Sequence, residues 1–506
     1  MKKLSVLVAG LFVCAVAHAT TITRVVDFTT TTGAGPRGAL VQASDGNFYG
    51  TTATGGDDGS GCVHGCGGTV FKLTPQGQLT LLHTFDWGTA AEPFWNGKTP
   101  HGGLVEGPDG WLYGTTFEGG SLHPQYGSIY KISKAGQFQK IHDFCPTTPC
   151  PDGANPEGSL VDGGDGWLYG TTTAPIIAPR IFKIRPDGTY AVVANFINLG
   201  FGTPANGMIR ASDGNFYGVT TAVIYKITPT GGVTELHRFG TPSVEGQGGY
   251  GPLVEGSDGN LYGTTQNGGL NGVGIVFKVS KAGAYQKIHD IAGPTEGLYP
   301  EGVMQASDGN LWGMTSNAAA ASTGGDVFAI NTAGAFQQSM PMTNDTGKGS
   351  ISRLIQASDG RLYGTAVLAG PSSNGTVFVV DAGLGPPSPG EAGELGSSQM
   401  VVTGYAKPTG DITIAYGAAC SATDHHIVYG PLSGLTTYAY TGQACNLGAT
   451  GNATFNLGAG NVFWVLVGNT PTLEGSYGRG AGGAERPQQV GLPGCAYVQT
   501  LGSSCP

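Results

Sequence analysis

The sequence has little charge and no basic run. Asp, Glu, Lys and Arg together make up 11% of its 506 residues, and the formal charge is −10. An acidic chain without a basic run argues against nucleic acid or an anionic membrane as partner. Long apolar runs are missing after residue 16, so no later segment is long enough to span a bilayer. Strict Gly-X-Y triplets are missing despite 90 glycines, which excludes collagen. Clustered titratable groups are scarce on the expected loop face as well; the stretch 171–179 carries no charge at all. No catalytic residue and no cofactor is assigned from the sequence. What is present argues against disorder, because apolar residues make up 39% and recur at regular spacing.

The first nineteen residues read as a targeting segment. Lys2 and Lys3 form its charged start, Leu4 to Val16 its apolar stretch, and Ala17-His18-Ala19 its cleavage site. The mature chain is then expected to begin at Thr20 with a charge of −12, exported to the periplasm or the extracellular space. Loss of Cys14 leaves eight cysteines, an even number, which in an exported chain favours disulfides over metal. Proximity suggests Cys62–Cys66, Cys145–Cys150, Cys420–Cys445 and Cys495–Cys505, with other connectivities open. Cys62-Val63-His64-Gly65-Cys66 is read as a small disulfide loop rather than a metal site.

One signature recurs seven times: Asp-Gly, any residue, an apolar residue, an aromatic, then Gly. It stands at Asp45, Asp109, Asp165, Asp213, Asp258, Asp308 and Asp359. A short apolar run precedes each Asp-Gly pair, and the pair supplies a tight turn because Gly, and less readily Asp, accepts positive φ. The aromatic strand (Tyr49-Gly50-Thr51-Thr52 in the first copy) follows, then a third run such as Val70-Phe71, then a fourth such as Leu81 to Phe85. Short β-branched and aromatic runs between turns are strands. First, second and third runs each occur seven times, but the fourth follows only six of them. The orphan run Arg24 to Phe28 supplies the missing one. Four-stranded units repeated radially give an all-β, seven-bladed β-propeller whose N-terminal strand closes the last blade. The glycine after each aromatic is expected to let the neighbouring blade approach, and the aromatic to fill the space between blades.

The motif set running from Leu253 to Lys278, Leu-Val … Asp-Gly-Asn-Leu-Tyr-Gly-Thr-Thr … Gly-Gly … Gly-Ile-Val-Phe-Lys, resembles the GloVer-type tandem repeat of exported bacterial proteins. The resemblance covers residues 22–381. It implies export and varied C-terminal sorting signals, and it implies no activity from which a catalytic residue could be carried over. This chain differs from some members in lacking a C-terminal apolar anchor or sortase motif, which bears on surface attachment.

The expected organisation is a signal peptide (1–19), the propeller (20–381), a Gly/Pro-rich linker (382–398), a small β-sandwich of immunoglobulin or fibronectin type III kind (399–490) and a cysteine-containing tail (491–506). His83, His142, His237 and His289 hold one place in successive fourth strands, a blade apart, and metal ligands must converge, so they are read as scaffold. The repeat aspartates are read as turn formers. The pattern Gly33-Ala34-Gly35-Pro36-Arg37-Gly38 precedes a strand, not a helix, and is set aside as a dinucleotide motif.

Two places are candidates for binding. The loop face carries Trp87, Phe94, Trp95, His101, His123, Tyr126, Tyr250 and Tyr299, rings that suit stacking on sugars. The channel mouth, where first strands begin, carries Arg37, His101, Glu157, Tyr250, Glu301 and Arg353. The leading expectation is an exported, non-enzymatic binding or display scaffold, monomeric, with polysaccharide or an envelope protein as partner. The alternatives are a carbohydrate-active hydrolase or lyase using Glu92, His101, Asp152 or Glu157, and a purely structural surface module.

Overall fold

The computed structural model describes residues 20–384, except 57–65, 87–95, 121–125, 148–149, 174–178, 197–199, 294, 318–323 and 350–351, and the backbone of eight strands between 401 and 499. The expected signal peptide, Trp87, Glu92, Phe94, Trp95, His123, Cys62, Cys420, Cys445, Cys495 and Cys505 lie outside the described residues. The side chain of Tyr250 does so too.

Seven four-stranded antiparallel sheets follow one another along the chain as the blades of a propeller. Blade 1 contains Val41–Gln42, Phe48–Thr52, Cys66–Leu73 and Leu79–Asp86. Blades 2 to 6 repeat this order. Blade 7 takes its first three strands from Ile355–Gln356, Leu362–Ala366 and Thr376–Asp381. Its fourth is the N-terminal strand Thr21–Asp27, paired antiparallel with Thr376–Asp381 from Thr21↔Asp381 to Asp27↔Thr376. The orphan run therefore closes the ring, as its count required. The one helix among the described residues is a single turn, Pro242–Glu245.

The turns differ in detail from the expectation. Ala43 N–H donates to the Asn47 carbonyl and Gly46 N–H to the Ala43 carbonyl, so three residues make the loop. Only the glycine has positive φ, 77° at Gly46, while Asp45 keeps an ordinary conformation. This is the type I turn with a left-handed closing residue, which demands Gly at one place only. The aspartate has a second job. Asp45 Oδ1 accepts from Asn47 N–H (3.1 Å) and Oδ2 from the Tyr49 hydroxyl (2.8 Å). The same two bonds recur at Asp109, Asp165, Asp213, Asp258 and Asp359. Trp312 Nε1 replaces the hydroxyl at Asp308. Each aspartate thus ties the turn to the aromatic that fills the gap toward the next blade.

The glycine after the aromatic has another cause than the one expected. A Cβ on Gly50 would lie 2.6 Å from Cζ of Phe71 and 2.9 Å from Leu40, both in the same blade. Gly50 and Phe71 are direct cross-strand partners. The glycine makes room for its own blade's third-strand ring, not for the neighbouring blade.

Core clusters sit between blades. Tyr49 and Val70 of blade 1 pack with Leu104, Leu112 and Tyr130 of blade 2. Tyr113 and Ile129 of blade 2 pack with Leu160, Leu168 and Phe182 of blade 3. At the seam, Phe48 lies 4.4 Å from Tyr363, ring centre to ring centre. Such interleaving gives every blade a buried face on each side without a free sheet edge.

After the ring, backbone strands form two further sheets. One has three antiparallel strands, Val401–Ala406, Asp411–Tyr416 and Gly451–Asn456. The other is five-stranded and built on the pair Asp424–Pro431 and Val462–Asn469. No helix among the described residues is long and apolar enough to cross a membrane.

Candidate functional site

Most chemistry-bearing side chains of the ring are engaged with the scaffold, and three sets can be followed outward from the repeat. At the outer rim, the four fourth-strand histidines stack on the ring that opens the fourth strand of the next blade. His83 lies 3.8 Å from Phe138, His142 4.1 Å from Tyr190 and His237 3.9 Å from Tyr285, all within 7° of parallel. His289 faces Phe336 at 6.4 Å. An acidic residue closes three of these contacts. His142 Nε2 bonds Asp152 Oδ2 (2.9 Å), and the Tyr190 hydroxyl donates to the Asp152 carbonyl (2.7 Å). His289 Nε2 bonds Glu296 Oε2 (2.7 Å), and His237 lies 3.6 Å from Glu245. The Glu296 hydrogen bond raises the His289 imidazole above its usual value against the effect of burial. Where the slot holds no histidine, the partner is aliphatic: Ala194 with Val233, and Met340 with Ile22. Sequence reasoning placed these histidines in the scaffold but missed their partners. The signal was there, because histidine and aromatic vary together from repeat to repeat.

On the side of the Asp-Gly turns, the end of the first strand carries, in five of the seven blades, an acceptor for the preceding blade's turn. Glu106 accepts from Ser44 N–H (2.7 Å), Glu255 from Ser212 N–H (2.7 Å), and Gln305 from Ser257 N–H (2.7 Å). Gln356 accepts from Ser307 N–H (2.8 Å) and Gln42 from Ser358 N–H (2.8 Å), the last bond crossing the seam between blades 7 and 1. Lys134 and Lys281 pair with Glu106 and Glu255. Two links are missing from this belt. Pro108 has no N–H to give, and Gly164 N–H turns to Asp162 of its own blade (2.8 Å) while Arg210 occupies the acceptor position of blade 4.

The opposite end of the first strands is different. His101 Nδ1 lies 3.8 Å from Glu157 Oε1, and the His101 ring stacks on Phe117 at 4.5 Å. Arg37 is exposed, and its charge acts on both neighbours. Burial pushes the His101 imidazole down to about 4, and Arg37 adds to this, so the ring is neutral at ordinary pH. Burial lifts the Glu157 carboxyl above the usual range, with Arg37 opposing. His101 of blade 2 and Glu157 of blade 3 are thus in contact, with the charge of Arg37 from blade 1 acting on both.

Glu301 lies on the first strand of blade 6, Leu298–Gln305, and Arg353 two residues before the first strand of blade 7, one and two repeat positions further in. Glu301 is 1% exposed. Its Oε1 accepts from Gln266 Nε2 (3.0 Å), while Oε2 is buried without a hydrogen-bond partner. Burial pushes this carboxyl up to about 7, and hydrogen bonds from Ser316 and Gln266 do not offset it. Burial also lowers the Arg353 guanidinium.

Of the enzyme candidates, Asp152 belongs to the rim latch and also accepts from Cys145 N–H (3.0 Å). His101 and Glu157 stand at the mouth. Cys145 and Cys150 form the expected disulfide. Cys66 is disulfide-bonded to a cysteine outside the described residues. Among the described residues no group of three metal-ligating side chains converges.

No curated protein matches the sequence. Among solved structures, similar chains include a gluconolactonase from Xanthomonas campestris, with 13% identity, a TM-score of 0.35, and 70% of this chain and 88% of that one covered. PorZ, a surface component of the type-IX secretion system of Porphyromonas gingivalis, has 16% identity, a TM-score of 0.42, and 85% and 57% coverage. A puromycin hydrolase has 10% identity, a TM-score of 0.46, and 77% and 60% coverage. At such scores nothing is carried over from these proteins. The family model for the Gloeobacter/Verrucomicrobia repeat matches residues 10–178 and 220–386, more than half of the chain and most of the ring, and the protein belongs to that repeat family.

Proposed function

We propose that this chain is an exported, monomeric binding or display scaffold without catalytic activity, whose ligand is a polysaccharide or an envelope component met at the first-strand mouth. The observation that carries this reading is the division of labour among polar groups. Turn aspartates, rim histidines with Asp152 and Glu296, and belt glutamates are hydrogen-bonded within the ring. Arg37, His101 and Glu157 gather at the mouth instead. Trp87, Trp95, Tyr250 and Glu301 belong to the same proposed surface. Residues 20–381 form the binding ring in this reading, 382–398 a linker, 399–490 an accessory sandwich, and 491–506 a tail stapled by Cys495–Cys505. Cys62–Cys66 and Cys420–Cys445 complete the staples.

A glycan array probed with the full chain is expected to give hits that weaken on His101→Ala. An array without a hit on any polysaccharide counts against sugar binding. A second reading, a hydrolase or lyase, draws on the raised Glu157 carboxyl beside a neutral imidazole. Polysaccharide turnover that disappears on Glu157→Gln would put it first.

A further inference from the structure

The cations of the ring fall into two groups. Away from the axis most are engaged, Arg180 and Arg210 being exceptions whose Nε is buried without a hydrogen-bond partner: Lys72 pairs with Asp45, Lys98 with Glu118, Lys134 with Glu106, Lys140 with Asp143, Lys281 with Glu255, Lys287 with Asp290 and Arg361 with Asp359. Lys183 and Arg185 lie over the Trp167 ring. Arg37 and Arg353, which precede the first strands of blades 1 and 7, have neither an ion pair nor a hydrogen bond among the described residues. Arg353, half-buried, carries the cost of an unpaired cation held from bulk water, which an anion brought to it removes, whereas Arg37 is exposed and carries little of it.

Three further observations point the same way. Arg37 stands exposed at the rim of the mouth, and Arg353 lies half-buried on the adjoining blade, two repeat positions deeper. His101, next in the ring, has its Nδ1 buried without a hydrogen-bond partner. Glu157 and Arg37 act on each other through their charges but form no ion pair, and Glu301 is bonded to Gln266. A chain of net charge −10 therefore presents unpaired arginines at the mouth of its axis.

We infer that the first-strand mouth is an anion site, in which Arg37 and Arg353 receive a carboxylate-bearing small ligand of the uronate class. The inference deepens the binding reading above and rests on it for the sugar, but not for the charge. A planar guanidinium matches a carboxylate with two parallel hydrogen bonds, which neutral sugars cannot use.

The test is calorimetric titration of the full chain with tri-galacturonate, with neutral galactotriose and with inorganic phosphate. The expected result is binding of tri-galacturonate, weakened by salt, and reduced at least about ten-fold by Arg37→Gln and by Arg353→Gln, the scale of one charge-assisted hydrogen bond. Arg353→Lys keeps the charge and retains part of the affinity, and it serves where Arg353→Gln fails to fold. Phosphate binding alone, lost on the same substitutions, upholds the anion site and overturns the sugar. Galactotriose binding as tight as tri-galacturonate, indifferent to both arginines, overturns the anion site and leaves sugar binding standing. No binding of any probe overturns the inference.

Discussion

The outer rim and the axial mouth are made from the same repeat, yet they differ in the side chains they leave without an ion pair. At the rim, each histidine has an aromatic stacked on it, and three of the four have a carboxylate within reach. At the mouth, His101 has the same two kinds of contact, the Phe117 ring and the Glu157 carboxylate at 3.8 Å, and the difference lies in Arg37 and Arg353, which have no ion pair or hydrogen bond among the described residues. The rim contacts cross from one blade to the next and hold the ring together. Groups that stabilise a fold are partnered, and groups left without partners are available to something else.

The largest effect is expected from breaking the ring itself. Deleting Thr21–Asp27 removes the fourth strand of blade 7 and exposes the edge of Thr376–Asp381. Cooperative unfolding in calorimetry should be lost or replaced by broad transitions. A sharp transition at the original temperature would mean that closure does not depend on this strand.

Next comes the rim. His142→Ala removes a stacked ring and leaves Asp152 with an unmatched buried oxygen, which costs about 2–4 kcal/mol. Blade 3 shows how the loss can be repaired, because its slot already holds Ala194 against Val233. His237→Ala with Tyr285→Val should therefore cost less than the two single changes together, by about 0.5–1.5 kcal/mol in a denaturant cycle. Strict additivity would show that the rings do not act as a pair.

Glu301 gives the third effect, which depends on pH. Its carboxyl is raised from 4.5 to about 7 on folding, so the folded chain holds a proton that the unfolded chain has lost. Between these values stability falls as pH rises, and the penalty is complete above about 7. Glu301→Gln should stabilise the protein at pH 8 by about 1–3 kcal/mol and change little at pH 4. Equal effects at both pH values would remove the titration from the account. The smallest effect is expected from Arg37→Gln, within about 0.5 kcal/mol of the parent, because the exposed guanidinium bonds nothing in the ring. A loss of 2 kcal/mol would place Arg37 among the scaffold residues.

Much of this molecule could be read from its residues, and the reason is physical. Turn glycines, aromatic strands and the orphan run Arg24 to Phe28 are local signals repeated seven times, so blade number and closure followed from counting. Contacts between blades were harder to see, because they join residues far apart in sequence. Ser44 meets Glu106 across 62 positions, and His142 meets Tyr190 across a turn and three strands. Their trace is joint variation within the repeats: serine before Asp-Gly goes with Glu or Gln at the end of the next first strand. Pro108 and Gly164 mark where that link fails. The contact of His101 with Glu157 joins two residues that the sequence placed only near the start of the first strands. That Glu301 is sealed from water while Arg37 is exposed was not legible, because depth depends on strands that the repeat does not specify.

Thermal unfolding with and without tri-galacturonate, measured on the parent, on Arg37→Gln and on His142→Ala, tests the separation of rim from mouth most directly. A ligand at a hundred times its dissociation constant adds about 2.7 kcal/mol, a rise of a few degrees. The account predicts that His142→Ala melts lower but keeps the ligand-induced rise, while Arg37→Gln melts with the parent and loses it. The reverse pattern, or equal rises in all three proteins, would contradict it.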